Sequence, residues 1–180
     1  VFQIQPADIV PGQTNLFIEV SENSLSYFFQ PVEEKKISGV VVLHGKTNQN
    51  RSTDIDKTLE LLNQQHLLQG SFSKTFISYS FPQSIPTPST IFDGSKASAD
   101  LQLLFGSLAI ESVLTDHLAA AAIYNVYSVP AALHNYLLSH FPQAQFAHQY
   151  SRLIGEIMPA KTSLQVIFYP NSMHNTLKGC

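Results

Sequence analysis

The amino-acid sequence predicts an α/β domain in which helices cover the faces of a mixed β-sheet. Strand patterns come first in the chain, and later strand patterns alternate with helix patterns, an order typical of such a sheet. The chain has 180 residues, of which 44% are hydrophobic. A chain of this size buries enough apolar surface to form one ordinary domain without disulfides or structural metals.

The first three strands are predicted from two patterns near the start of the chain. The segment "NLFIEVSENSLSYFFQP", Asn15 to Pro31, has two runs of alternating apolar residues around a polar "SEN" turn, which predicts a β-hairpin. The run "GVVVLHG", Gly39 to Gly45, is continuously apolar through its centre, which predicts a strand covered on both faces. We therefore expect residues 40–43 to be largely buried.

The later elements alternate between helices and strands. Helices are predicted in "STDIDKTLELLNQQHLL", "DGSKASADLQLLFG", "PAALHNYLLSHF" and "SRLIGEIMP", and strands in "KTFISYS", "AIYNVYSVP", "AQFAHQY" and "SLQVIFYP". Gly106 is expected to end the second of these helices. The three prolines of "FPQSIPTPST" predict an extended connection, because proline interrupts a helix.

Composition limits the classes of partner. The net charge is -3 and no basic cluster occurs, which argues against nucleic acid. No apolar run approaches the about 20 residues of a membrane span, and "VFQIQPADIVPGQ" lacks the pattern of a signal peptide. The single cysteine, Cys180, leaves no internal disulfide or cysteine metal site. We expect a cytoplasmic protein without a membrane partner.

The end of the chain resembles its beginning. The segment "SLQVIFYPNSMH", aligned with "NLFIEVSENSLS" at a constant offset, gives three identities and three apolar matches. The matched pairs are Leu164 with Leu16, Val166 with Ile18, Phe168 with Val20, Asn171 with Asn23, Ser172 with Ser24, and Met173 with Leu25. A duplicated hairpin explains them, and chance similarity between two strands is the alternative. Under duplication we expect one lobe over residues 1–160 and the first strand of a truncated second lobe over residues 161–180.

Two long segments carry a family resemblance. They are "FSKTFISYSFPQSIPTPSTIFD" and "IYNVYSVPAALHNYLLSHFPQAQFAHQYS". They resemble an uncharacterised bacterial family, a domain of unknown function with an actin-like ATPase fold. In that family a strand leads into a proline-containing loop and an "LFD"-like segment, here Phe76 to Asp93. Later an "NV(F/Y)AVP" strand precedes an "hFP-A-F-H" turn, here Asn125 to Pro130 followed by Phe141 to His148.

The resemblance implies a fold and no established activity. The implied fold is the ribonuclease-H-like lobe of the actin and sugar-kinase superfamily, with a mixed sheet and flanking helices. Family members run further and complete a second lobe, so the start of that lobe is expected at the C-terminus of this chain. The family signatures carry no assigned chemical role.

The first hairpin matches the phosphate-binding hairpin of that superfamily imperfectly. The superfamily pattern is apolar-Asp-apolar-Gly, in which the aspartate organises magnesium and the glycine lets backbone N–H groups approach phosphate. Here Glu19 takes the place of the aspartate, Ser21 replaces the glycine, and Glu22 adds a negative charge. If a nucleotide binds, Glu19, Ser21 and Asn23 are the candidate residues, with ATP and magnesium as cofactors. Two carboxylates without a nearby cation repel phosphate, so we predict no cofactor at this hairpin.

Other motifs of catalysis and metal binding are missing from the sequence. "GVVVLHGKTNQN" places Gly45 and Lys46 after a strand but lacks the second glycine of a phosphate loop. The seven histidines form neither H-x-H nor H-E-x-x-H, and no G-x-S-x-G elbow occurs. We therefore predict no catalytic residue and no metal ligand.

The sequence favours a non-catalytic, protein-binding descendant of the fold, with a protein as the expected partner. The alternative is a nucleotide-binding ATPase whose decisive residues lie in the missing second lobe. A hydrolase or nuclease on the same sheet would need clustered acidic residues on central strands, where Glu19 stands alone. The sequence leaves open whether the protein is an enzyme.

Overall fold

The structure is a computed structural model. It describes residues 2–4, 9–22, 24–34, 36–44, 51–108, 111–157, 164–169 and 172–177. The strands are β1 (Phe2–Ile4), β2 (Thr14–Ser21), β3 (Ser24–Pro31), β4 (Gly39–His44), β5 (Thr75–Ser80), β6 (Ser84–Pro88), β7 (Glu111–Leu118), β8 (Ile123–Pro130), β9 (Gln145–His148), β10 (Leu164–Tyr169) and β11 (Ser172–Leu177). The helices are α1 (Arg51–Gln64), α2 (Ala97–Phe105), α3 (Ala131–His140) and α4 (Gln149–Ile157), with short 3-10 helices at His66–Gln69 and Ala119–Ala121.

The main sheet has six strands in the order β1-β4-β3-β2-β5-β9. Strands β2, β3 and β4 form an antiparallel meander, and β5 and β9 add to it in parallel with β2. The β-hairpin predicted from the two alternating runs is therefore confirmed, and so is the mixed sheet predicted from the order of strands and helices. In the described part of the chain, no helix has the length and apolar composition needed to span a membrane.

The main core lies on one face of this sheet. Leu16 and Ile18 of β2 point into it together with Tyr27 and Phe29 of β3, and all four are buried. Helices α1 and α3 cover this face and contribute leucines to the same cluster. The other face of the sheet carries the odd-numbered residues of β2, and these are only partly buried.

The strand β4 differs from its prediction in one respect. Val41 and Leu43 are buried, at 1% and 6% exposure, but Val40 and Val42 lie on the opposite face and are only partly covered. The expectation that all four residues are largely buried is therefore met by Val41 and Leu43 and only in part by Val40 and Val42. The physical reason is that β4 is an antiparallel strand next to the edge of the sheet, where one solvated face is common.

A second, three-stranded sheet has the order β6-β8-β7. The proline-rich segment is extended, as predicted, and part of it forms the edge strand β6. Pro86 and Pro88 have no backbone N–H to donate, and an edge strand tolerates this because no other described strand pairs with its outer side. Strand β7, which no sequence pattern predicts, pairs with β8 along its full length. Helix α2 packs on this sheet through Leu101 and ends at Gly106, which has a positive φ of 85°. The predicted helix end is confirmed.

The strands β10 and β11 form a separate antiparallel hairpin. Its register pairs Phe168 with Met173, and the first hairpin pairs Val20 with Leu25. These are the positions that the sequence alignment makes equivalent. The two hairpins thus share one register, and both the duplication and the boundary between lobes near residue 160 stay predictions.

Candidate functional site

The predicted cofactor residues lie in and beside the first hairpin. Glu19 is on β2 and faces away from the main core, towards a groove on the second face of the sheet. Ser21 is the last residue of β2 and lies in the turn. Asn23 falls outside the described residues, as do Gly45 and Lys46.

The hairpin turn is closed by its own serines. The backbone N–H of Ser24 donates to Oγ of Ser21 at 3.1 Å, and the two Oγ atoms are 2.6 Å apart. In the superfamily pattern a glycine occupies the position of Ser21 and leaves the backbone N–H groups available to phosphate. A phosphate at this turn would have to displace the Ser21 side chain from Ser24.

A row of phenylalanines forms one end of the groove. Phe17 on β2 is stacked between Phe28 on β3 and Phe76 on β5. The ring centroids are 4.5 Å and 4.8 Å apart, and the ring planes are within 6° and 13° of parallel. All three side chains are partly exposed, so the row presents an apolar surface on the sheet face opposite the main core.

The next row along the strands is polar. Glu19 stands directly opposite Ser26 of β3 on one side and Ser78 of β5 on the other. In the described part of the chain, none of these three side chains makes a hydrogen bond or an ion pair. One carboxylate and two hydroxyls therefore line the groove as a contiguous set of unengaged oxygens.

Helix α4 borders the groove on its remaining side. Gln149, Arg152 and Leu153 line it, and the hydroxyl of Ser80 donates to Oε1 of Gln149. The guanidinium of Arg152 lies over the ring of Phe76, 5.7 Å from the centroid. The groove is open to solvent and has a volume of about 350 Å³. Of the two charged side chains in the described lining of the groove, Glu19 lies in the polar row and Arg152 lies over the phenylalanine row.

The environment of Glu19 disfavours its ionised form. Burial removes water from the carboxylate and raises its pKa above the ordinary value. No cation or donor in the described residues offsets this effect. An ion that has lost hydration without gaining a partner destabilises the fold, so the site stores free energy that a suitable ligand can recover.

A second polar cluster surrounds His148, which is only 1% exposed. Its Nδ1 accepts a hydrogen bond from the backbone N–H of Tyr150 at 3.1 Å, so the ring proton is on Nε2 and is donated to the carbonyl of Phe81 at 2.9 Å. Burial lowers the pKa of His148, although the Phe81 carbonyl and the charge of Asp116 act in the opposite direction. The ring is therefore a neutral, fully bonded part of the structure.

Asp116 of β7 extends this cluster to the second sheet. Its Oδ2 accepts from the backbone N–H of His148 at 2.7 Å, and its Oδ1 accepts from the Tyr127 hydroxyl at 3.1 Å. Burial, reinforced by the Asp116 charge, raises the pKa of Tyr127 far above its ordinary value. These bonds connect β9 of the main sheet to β7 and β8 of the second sheet.

Asn125 makes an equivalent buried connection. Its amide Nδ2 donates to Oγ of Ser151 in α4 at 2.9 Å, and its Oδ1 accepts from Oγ of Ser84 in β6 at 2.6 Å. Asn125 and His148 both lie in the family signature segments, and the structure gives them structural roles. The sequence could not assign those roles, because every partner but Tyr150 is far away in the chain.

An exposed apolar surface lies on α2. The helix buries Ala97 and Leu101, while Leu103, Leu104 and Phe105 are 85%, 65% and 43% exposed. We call these last three residues the α2 surface. Among the described residues, no three His, Cys, Asp or Glu side chains are grouped closely enough to hold a metal ion.

The architecture matches that of a solved structure. A protein from Bacteroides thetaiotaomicron, described as having an actin-like ATPase fold and unknown function, superposes with a TM-score of 0.71 at 15% sequence identity. The match covers 82% of this chain and 56% of that chain, so this chain spans little more than half of that protein. Identity this low shows the fold alone. The fold is an actin-like ATPase fold, as the sequence resemblance predicts.

The family follows from a match to its sequence model. Residues 8–174 match the family described as Protein of unknown function (DUF3822), and the chain belongs to that family. Among curated proteins, no sequence matches this chain. The family resemblance predicted from the two signature segments is confirmed.

Proposed function

We propose that this domain is a non-catalytic, protein-binding member of the actin-like ATPase superfold, and that the α2 surface binds the partner. The observation that carries the proposal is the exposure of three consecutive large apolar residues, Leu103 to Phe105. Single exposed apolar residues are common on soluble proteins, but contiguous ones mark interaction sites.

The geometry of α2 explains why these residues are available. The helix uses Ala97 and Leu101, one turn apart, to pack on the second sheet. Leu103 and Leu104 then project from other sides of the helix, where nothing in the described chain covers them. The partner is a protein that presents a complementary apolar surface, because burial of leucine and phenylalanine provides the free energy of such contacts.

The hairpin supports the non-catalytic part of the proposal. The Ser24 N–H is already bonded to Ser21, and Glu19 places a negative charge on the adjacent sheet face. Both features oppose a bound triphosphate. The alternative function, a nucleotide-binding ATPase with key residues in a second lobe, is favoured by one observation, the position of Glu19 beside a groove where the superfamily has a magnesium-organising aspartate.

Protein binding is tested with two variants of equal charge. Tagged full-length protein is recovered from its source organism, and the co-purified protein is then prepared separately and titrated by calorimetry. We expect Leu103→Glu to weaken the complex at least about tenfold. Gln102→Glu adds the same charge to the neighbouring exposed position and should leave the affinity unchanged. A partner that binds Leu103→Glu as tightly as the wild type would contradict the assignment of this surface.

Nucleotide binding is tested by calorimetric titration of ATP and magnesium into the full-length protein and its Glu19→Ala variant. We expect no binding in either. Tight binding that is lost in Glu19→Ala would overturn the non-catalytic proposal and establish Glu19 as a metal-organising carboxylate.

A further inference from the structure

We propose that the groove beside Glu19 binds a small organic cation, specifically a primary ammonium group carried on an apolar chain or ring. The site is separate from the α2 surface, and the inference does not depend on the protein-binding function. It rests on the juxtaposition of three unengaged polar side chains with an apolar row on the same sheet face.

The polar row matches the donors of an ammonium group. A primary ammonium has three N–H donors and no acceptor. The row Ser26–Glu19–Ser78 offers one carboxylate and two hydroxyls on three adjacent strands. In the described part of the chain these side chains have no other hydrogen-bond partner, so a ligand can engage all three without displacing an existing bond.

The charge of the row determines the sign of the ligand. The Glu19 carboxylate is partly stripped of water, and burial raises its pKa. A cation restores the lost electrostatic stabilisation, whereas a neutral molecule restores only part of it and an anion adds repulsion. Among the described residues that line the groove, Arg152, which lies over Phe76 in the phenylalanine row, is the other charged group. It disfavours a second positive charge on the ligand.

The phenylalanine row determines the rest of the ligand. Phe28, Phe17 and Phe76 form an apolar surface next to the polar row, one alternate position along each strand. An alkyl or phenyl group attached to the ammonium packs there. The volume of about 350 Å³ lies at the small end of ligand pockets, which are about 300–1,000 Å³. The ligand is therefore a small molecule with one ammonium group.

The test compares three molecules of one shape. Phenethylammonium, 2-phenylethanol and 3-phenylpropionate are titrated into the protein, and binding is followed by calorimetry and by NMR shifts of the Ser26 and Ser78 amides. We expect phenethylammonium to bind at least about tenfold more tightly than 2-phenylethanol, with the shifts concentrated at those amides. 3-Phenylpropionate should bind most weakly.

Two charge-neutralising variants locate the selectivity. Glu19→Gln keeps the shape of the side chain and should make the affinities for phenethylammonium and 2-phenylethanol equal. Glu22→Gln removes a neighbouring charge in the turn and should leave the preference intact. Equal affinity for the three molecules, preference for the anion, absence of binding, or selectivity that survives in Glu19→Gln would each overturn the proposal.

Discussion

Replacing His148 with leucine should destabilise the protein strongly, because the imidazole satisfies two backbone groups at once. Its Nε2–H donates to the buried carbonyl of Phe81, and its Nδ1 accepts from the N–H of Tyr150. Leucine fills a similar volume but can do neither. The variant therefore removes hydrogen bonds while leaving little empty space.

The size of the expected loss of stability follows from these two hydrogen bonds. A buried backbone group left unpaired costs about 1–3 kcal/mol. The carbonyl belongs to Phe81, which is 2% exposed, whereas Tyr150 is 47% exposed and its N–H can recover part of the loss from water. We therefore expect His148→Leu to lower the free energy of unfolding by about 2–4 kcal/mol at neutral pH.

The dependence of stability on pH provides an independent test of the role of His148. Burial lowers the pKa of His148 in the native state below its unfolded value of about 6.5. As pH falls through about 6.5, the unfolded chain binds a proton that the native state does not, so the native state loses stability. The loss is about 1.4 kcal/mol per pH unit and stops once pH falls below the native pKa.

The assay is urea denaturation of wild type, His148→Leu and the control His66→Gln at about pH 7.5 and about pH 5.5. His66 is exposed, so its variant should stay within about 0.5 kcal/mol of wild type. His134, whose pKa is also lowered by burial, contributes equally to all three proteins. Because His148→Leu lacks the titrating ring, its deficit should be smaller at the lower pH. A deficit below about 0.5 kcal/mol, or one that grows on acidification, would refute the assigned hydrogen bonds.

Two further stability predictions use the same assay. Glu19→Gln should raise the free energy of unfolding by about 0.5–1 kcal/mol at neutral pH, because it removes a desolvated charge. Because the pKa of Glu19 is raised in the native state, the wild type gains stability as pH falls through that pKa. The difference in stability between Glu19→Gln and the wild type should therefore shrink on acidification. A Glu19→Gln variant less stable than the wild type would contradict the reasoning. Gly106→Ala should lose about 1 kcal/mol because φ is 85°, whereas Gly155→Ala in α4, where an added Cβ meets nothing within 4 Å, should gain up to about 1 kcal/mol. Equal effects at the two glycines would contradict the argument that the positive φ of Gly106 requires glycine.

Elements with strong local patterns were predictable from the sequence. In the first hairpin every second residue from Leu16 to Val20 and from Leu25 to Phe29 is apolar and buried, and α2 ends at a glycine. Strand β7, "ESVLTDHL", has no such pattern, since none of its residues is buried and two of them, Thr115 and His117, are exposed. It becomes a strand because β8 pairs with all of it. The pairing of β7 with β8 depends on the tertiary structure, so the local propensity of the β7 residues does not predict it.

The candidate site was only partly predictable for the same reason. Glu19 could be singled out from the sequence because it takes the place of the aspartate in the phosphate-binding hairpin of the superfamily. Its neighbours Ser26 and Ser78 come from two other strands, and the parallel pairing of β2 with β5 places residues 59 positions apart in one row. Serines and phenylalanines at such separations carry no sequence signal. Only the register of the sheet reveals them as one surface.

The negative charge of Glu19 favours an ammonium ligand over a phosphate ligand, and this argument does not depend on the fold. A phosphate site needs donors, and the turn offers an N–H that Ser21 already occupies. An ammonium site needs acceptors, and the row beside Phe17 offers three unengaged side chains within the described chain. A glutamine at residue 19 would fit the same space without the desolvation cost. Because a residue that costs stability in the free protein is typical of a binding site, the carboxylate itself favours a cationic ligand over a purely structural role.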